Sequence, residues 1–263
     1  MRALIDVHSH LGQIVNEGMS ATGARLCELF RQASITHGVA FSIEACYGGL
    51  DAGNALALRE AGPHDILSVM VVAHPNHPAS SRRWVAEARS DPKIVGVKIH
   101  PVLGQYDILS SSVARLVDEV IGPSGLPVLS HVGNESPNVT IDKYLRLARR
   151  FPEVRFIAAH MGVGLLGLSD AAIDAWLDNP APNVWFDMGT LRAFFGGALE
   201  AFLTVVGPDR VCFGTDAPLY IPAAFTRVLE LLPVSADARE RIAWRNALDV
   251  IPLLAGKPGV PVP

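Results

Sequence analysis

The sequence predicts an α/β fold, a (β/α)8 TIM barrel in a single domain, and three observations carry that prediction. The chain has 263 residues, and an α/β barrel usually takes about 250. Strand-length apolar runs alternate with helical stretches eight times, at roughly 30 residues per unit. The strand runs are apolar throughout, as expected where helices cover both faces of a sheet. An open doubly wound sheet is the competing arrangement. However, no glycine-rich phosphate fingerprint follows the first strand, and the count of eight favours closure. Residues 1–263 are read as one domain, with 235–255 as a C-terminal helical extension.

The elements follow in order. Met1-Arg2-Ala3-Leu4-Ile5 opens the first strand, which ends in Asp6-Val7-His8-Ser9-His10. Successive strand side chains alternate in direction, so His8 and His10 project the same way, about 7 Å apart. Gly12 to Ser20 reads as a polar loop, and Ala21 to Ala33 as a helix with Leu26, Leu29 and Phe30 on one face. The second strand starts at His37 and ends at Glu44, and the helix from Asn54 to Glu60 is stopped by Gly62-Pro63. Ile66 to Ala73 is the third strand, ending at His74-Pro75, with a helix over Trp84 to Ala88. Ile94 to Ile99 is the fourth, ending at His100-Pro101. Val113, Leu116, Val117, Val120 and Ile121 mark an amphipathic helix that Ser110 to Ser112 can cap.

Leu126 to Ser130 leads to His131 as the fifth strand, its proline near the start, where a missing donor is tolerated. Ile141, Tyr144, Leu145 and Ala148 lie on a helix ending in Arg149 and Arg150, whose charges suit the helix dipole. Val154 to Ala159 is the sixth strand, ending at His160, and 183–187 the seventh. The eighth, 211–215, ends at Asp216. Further helices cover 171–177, 198–205, the run from Phe225 to Leu232, and 238–250; Gly256 to Pro263 is too rich in glycine and proline to be regular.

Composition excludes several functions. Net charge is −4, and no basic run exceeds Arg82-Arg83 or Arg149-Arg150, so nucleic acid is not an expected partner. The longest apolar runs, such as Ile66 to Ala73, fall well short of the ~18–20 residues of a membrane span. Asp6 interrupts the N-terminus before a signal-peptide core could form. Cys27, Cys46 and Cys212 are odd in number and widely spaced, so neither a disulfide framework nor a cysteine zinc site is expected. A reducing cytoplasm fits best, and a homo-oligomer stays open.

Barrel enzymes build their sites at the C-terminal ends of the strands. On this map His8 and His10 end the first strand, Lys98 and His100 the fourth, His131 the fifth, His160 the sixth and Asp216 the eighth. His131 and His160 are 29 residues apart, and Asp216 follows 56 residues later, so the polar residues keep step with the repeat. Neutral imidazoles with one hard carboxylate are what a divalent metal needs, leaving room for a water whose pKa falls towards about 7.

Asp6-Val7-His8-Ser9-His10, Gly96-Val97-Lys98-Ile99-His100-Pro101, Leu129-Ser130-His131-Val132-Gly133, Ala159-His160-Met161-Gly162 and Phe213-Gly214-Thr215-Asp216 together resemble the amidohydrolase superfamily of metal-dependent barrel hydrolases. Trp244-Arg245-Asn246-Ala247-Leu248 is similar to the terminal helix of its branch related to aminocarboxymuconate semialdehyde decarboxylase. The resemblance implies one zinc, or another divalent ion, held by His8, His10, His131 and Asp216. It makes Asp216 the proton acceptor beside the metal and His160 the acid/base or electrostatic residue facing substrate. Asp6 is expected to orient a ligand imidazole.

Lys98 is open. In two-metal members a carboxylated lysine bridges the cations, whereas unmodified it can pair with a substrate carboxylate. One metal is the favoured expectation. His100 either packs beside Pro101 or reaches the cleft. Glu44, His74, Gln105 and Arg192 lie just past strand ends within reach of substrate, although rim loops are polar in any case. His37, His64 and His77 are expected to be solvated, and the four tryptophans to pack in the core or between helices. The leading functional expectation is hydrolysis of an ester, lactone or amide in a small anionic substrate by metal-activated water. The alternative is metal-dependent, non-oxidative decarboxylation of an aromatic or enoic acid.

Overall fold

The computed structural model describes residues 2–14, 18–133, 135–163 and 169–262. Met1, residues 15–17 of the expected 12–20 loop and Pro263 of the tail lie outside them. The strands are β1 (Ile5–Ile14), β2 (Met19–Ala21), β3 (His37–Ser42), β4 (Leu67–Val72), β5 (Ile94–Ile99), β6 (Val128–Ser130), β7 (Phe156–Ala158), β8 (Val184–Asp187) and β9 (Val211–Cys212). They form one curled sheet in the order β2-β1-β3-β4-β5-β6-β7-β8-β9. Every pairing is parallel except that of β1 with β2. Backbone bonds also link the two ends of the series: Val7 N–H to Phe213 O (3.1 Å), Asp216 N–H to His8 O (2.8 Å) and His10 N–H to Ala217 O (2.7 Å).

Helices between the strands cover the sheet, and every residue of β3, β4 and β5 is buried. That two-sided burial is why these strands read as unbroken apolar runs. Sheet and helix layers interlock edge to face, as where Phe186 meets Trp176 (5.5 Å between ring centroids) and Phe202 (5.1 Å). The expected 238–250 helix is observed as three successive helical pieces over Ala236–Glu240, Arg241–Arg245 and Asn246–Val250. Of the four tryptophans, Trp244 is buried and the others pack part-buried against the core.

Two expectations are corrected. The 12–20 stretch is not wholly a loop: β1 runs on to Ile14 and pairs antiparallel with β2, Gly12 opposite Ala21. Burial of Leu11, Ile14 and Ala21 gives this hairpin an apolar side. His8 and His10 therefore lie within the first strand and not at its end. Likewise His37 is not solvated but fully buried where β3 begins. Its Nδ1–H donates to Pro258 O (2.8 Å) and its Nε2 accepts from Ser68 Oγ (2.9 Å). Nothing near His37 in sequence announces that the C-terminal tail returns under the sheet to meet it. His64 is half-buried and His77 exposed.

Candidate metal centre

His8 and His10 on β1, Lys98 on β5, and His100, His131, His160 and Asp216 just past β5, β6, β7 and β9 all line one cavity of about 230 Å³. Its other walls include Ile14, Ile43, Val102, Leu103 and Leu219, with Tyr47 and Glu135 at the side. The seven chemically capable residues expected to share a rim are thus brought together. The walls between them are largely apolar.

The centre of the cluster is tight. His10 Nε2 stands 2.6 Å from Asp216 Oδ1, and His8 Nε2 stands 3.3 Å from the same oxygen. Donor atoms of His8, His10 and Asp216 lie within 4.8 Å of one another and are all buried. Nδ1 of His8 donates to Asp187 Oδ2 at 2.9 Å, so Nε2 of the neutral ring carries a lone pair that faces a carboxylate oxygen. Burial pushes His8 down to about 4, which keeps it neutral. Burial alone would raise Asp216, but His8, His10 and His160 beside it hold the carboxyl well below its usual range. Asp216 Oδ2 and His10 Nδ1 are buried with no hydrogen-bond partner. A bare imidazole nitrogen, an ionised carboxylate and orphaned polar atoms at one point fit a divalent cation, and buried polar groups otherwise find partners.

The backbone is bent to make this arrangement. Asp216 (φ 59°), His160 (φ 60°) and Met161 (φ 55°) all adopt left-handed conformations, each at a cost of roughly 1 kcal/mol or more. Asp187 holds part of this in place, since its Oδ1 accepts from the backbone N–H of His160 (3.1 Å) and of Gly189 (2.9 Å). Gly214 leaves the space it needs, because a Cβ there would lie 2.9 Å from that of Asp187.

Asp187 was not anticipated as a site residue. Its only sequence signal is its place at the end of the seventh expected strand. The role expected of Asp6 falls to it: Asp6 touches no ring, but accepts from the N–H of His8 (2.9 Å) and Thr215 (3.2 Å) and from the Thr215 hydroxyl. Burial lifts the Asp6 carboxyl to about 8 despite those donors. A short side chain two residues before His8 reaches the neighbouring backbone sooner than the imidazole.

His131 sits one ring outside the central trio. Its Nδ1 lies 3.1 Å from His160 Nε2, its Nε2 contacts Glu135 Oε1, and His100 stacks on it at 4.4 Å. His100 therefore both packs and reaches the cleft. Burial lowers His131 to about 4. The Lys98 ammonium lies over the Phe41 ring, 4.4 Å from its centroid, and burial brings its pKa down to about 8.

The remaining candidates stand elsewhere. His74 bonds the Gly104 carbonyl (3.2 Å), Glu44 accepts from Gln13 N–H (2.9 Å), and Gln105 is exposed. Arg192 lies over the Phe195 ring (4.8 Å), outside the residues that line the cavity.

A curled parallel sheet with a histidine–aspartate cluster at its carboxyl end defines the class of metal-dependent α/β enzymes. The sequence matches the family described as amidohydrolase over residues 5–253, and the chain belongs to it. No curated protein matches the sequence. Among solved structures, 5-carboxyvanillate decarboxylase from Sphingomonas paucimobilis is similar with a TM-score of 0.72 at 16% identity, covering 96% of this chain and 99% of that one. Dihydroxybenzoic acid decarboxylase from a Polaromonas species, with bound manganese and 2-nitroresorcinol, gives 0.72 at 14% identity, covering 96% and 98%. A probable 2-pyrone-4,6-dicarboxylic acid hydrolase from Acinetobacter baumannii, with citric acid bound, gives 0.72 at 14%, covering 95% and 99%. At such identities the likeness carries the fold. Among the described residues no helix is long and apolar enough to cross a membrane.

Proposed function

We propose that this protein is a metal-dependent, non-oxidative decarboxylase of a small aromatic or enoic carboxylic acid, in preference to the hydrolase expected first. The observation that carries this reading is the cavity wall: aliphatic side chains and Tyr47 surround the metal-binding cluster, and Lys98 is the one lysine or arginine among its described residues. Such a wall suits an apolar ring or alkene bearing a single carboxylate. A dicarboxylate offered for hydrolysis would need a second cation. The aromatic decarboxylases among the similar structures support decarboxylation as the reaction.

His8, His10, His131 and Asp216 would hold one divalent ion per chain. Bound there, it would polarise the substrate's oxygens as a Lewis acid. Manganese is the ion in one similar structure, and a histidine-rich donor set suits zinc equally. Lys98, tucked against Phe41, pairs with an anionic oxygen of the substrate and is unmodified in this reading. Asp216, held ionised, takes up a proton from solvent and delivers it to the carbon that carries the carboxylate. As the C–C bond breaks, carbon dioxide leaves and the new C–H bond keeps the carbon's valence. His160, its Nδ1 tied to Gly189 O at 2.6 Å, presents Nε2 for proton exchange.

The three backbone bonds between β1 and residues 213–217 support a closed eight-stranded barrel, and we read 1–263 as one domain with 235–255 as its helical extension. Three buried free cysteines suit a reducing, cytoplasmic setting.

The test supplies manganese- or zinc-loaded protein with hydroxybenzoates, enoic acids, lactones and pyrones in ¹⁸O-water made up with deuterium oxide. Decarboxylation releases carbon dioxide and leaves a deuteron on carbon with no ¹⁸O in the organic product. Ring-opened or cleaved products carrying ¹⁸O, without carbon dioxide, would restore hydrolysis.

A further inference from the structure

We propose that Glu135 is a positioning residue that fixes which ring nitrogen His131 turns to the metal, an inference that rests on the metal-site reading above. Gly189 O can only accept, so His160 carries a proton on Nδ1. Its Nε2 faces His131 Nδ1 at 3.1 Å. On its far side, His131 Nε2 meets the Glu135 carboxylate. A carboxylate is acceptor only, so His131 carries a proton on Nε2, which leaves Nδ1 as the nitrogen that can turn to an ion.

The opposite tautomer of His131 would set its Nε2 lone pair against a full negative charge. Glu135 thus does for His131 what Asp187 does for His8, where Nδ1–H donates to the carboxylate and Nε2 is left for the ion. Metal-bound histidines commonly donate their second N–H to such a carboxylate. The two carboxylates differ in burial. Asp187 is fully buried, whereas the Glu135 side chain is 39% exposed, so Glu135 can be replaced without opening the core.

Zinc and manganese titrations of metal-free protein test this. Glu135→Ala should weaken the ion's binding about 10- to 100-fold, the usual loss when a metal ligand's carboxylate partner is removed. Glu135→Gln, whose amide oxygen still accepts from Nε2–H, should stay within about threefold of wild type. The thermal midpoint of either metal-free variant should match the parent. Nitrogen-15 shifts should place the His131 proton on Nε2 in the parent and share it between both nitrogens in Glu135→Ala. Wild-type affinity in Glu135→Ala overturns the proposal. So does a glutamine variant as weak as the alanine one, which would make Glu135 a direct ligand. A parent protein that takes up no ion would fell the metal reading itself, a result distinct from normal uptake with an indifferent variant.

Discussion

The two ends of the sheet handle buried polar groups in opposite ways. Away from the metal centre, His37, Asn183 and Asn246 donate to backbone carbonyls, although Asn183 Oδ1, Asn246 Oδ1 and Trp185 Nε1 are also buried without a partner. His37 is bonded at both ring nitrogens, and the Asn183 amide donates to the carbonyls of Ala148, Phe151 and Val154. Asn246 donates to Pro208 and Val211. At the carboxyl end, His10 Nδ1 and Asp216 Oδ2 have no partner, and three non-glycine residues are left-handed. Burial is as complete at one end as at the other, so burial alone does not separate a structural histidine from a chemical one. What separates His37 from His10 is whether both ring nitrogens are matched.

The largest expected effect comes from breaking the unmatched end. Asp216→Asn should cost about 10³-fold in turnover, within the usual range for losing a positioned acid/base. Metal uptake should fall with it. The metal-free fold should be unharmed or firmer, because the asparagine removes a buried charge held in a strained backbone. Measured turnover and thermal midpoint decide this, and a collapse of the midpoint would make Asp216 a structural residue like those at the other end.

The matched end predicts the opposite pattern. His37→Phe should cost about 2 kcal/mol of stability through two lost hydrogen bonds and an orphaned carbonyl, with metal affinity unchanged. It should also alter the pH dependence. Burial lowers folded His37 to about 4 from an ordinary 6.5. Above 6.5 neither the folded nor the unfolded ring is charged, and its contribution is full. As pH falls from 6.5 towards 4 only the unfolded chain gains the proton, so stability is lost, by up to about 3 kcal/mol from this ring. Urea unfolding of metal-free parent and His37→Phe across that window should show the shallower slope in the variant. Equal slopes would mean that His37 titrates normally.

The difference between the two ends also explains what was legible in the sequence. His8, His10, His131, His160 and Asp216 announce themselves because each falls at the same phase of a strand–helix repeat. Asp187 shares that phase, yet an acidic residue ending a strand is common, and only its contact with His8 reveals its role. Glu135 lies in a loop and has no phase at all. His37 looked solvated because its partners, Ser68 and Pro258, lie 31 and 221 residues away in sequence. The barrel-like order of strands was legible, whereas the β1–β2 hairpin was not. Glycine and polar residues there read as loop, and the burial of Ile14 and Ala21 depends on tertiary packing.

The smallest expected effect is at Arg192, which lies on the carboxyl side of the sheet and outside the cavity wall. The Arg192 guanidinium rests on Phe195, and Leu191, Phe194 and Phe195 around it are exposed. Because Arg192 is not among the residues that line the cavity, Arg192→Ala should change kcat/KM for a monocarboxylate less than about twofold, the level of a charge acting from a distance through a high dielectric. Lys98→Met, by contrast, should raise KM at least tenfold, because a buried amine has no solvent to replace it. If Arg192→Ala instead raised KM as much as Lys98→Met, the loop bearing Arg192 would be supplying a second cation to the bound substrate. The cavity would then suit a dicarboxylate, and the single-carboxylate substrate proposed above would be rejected.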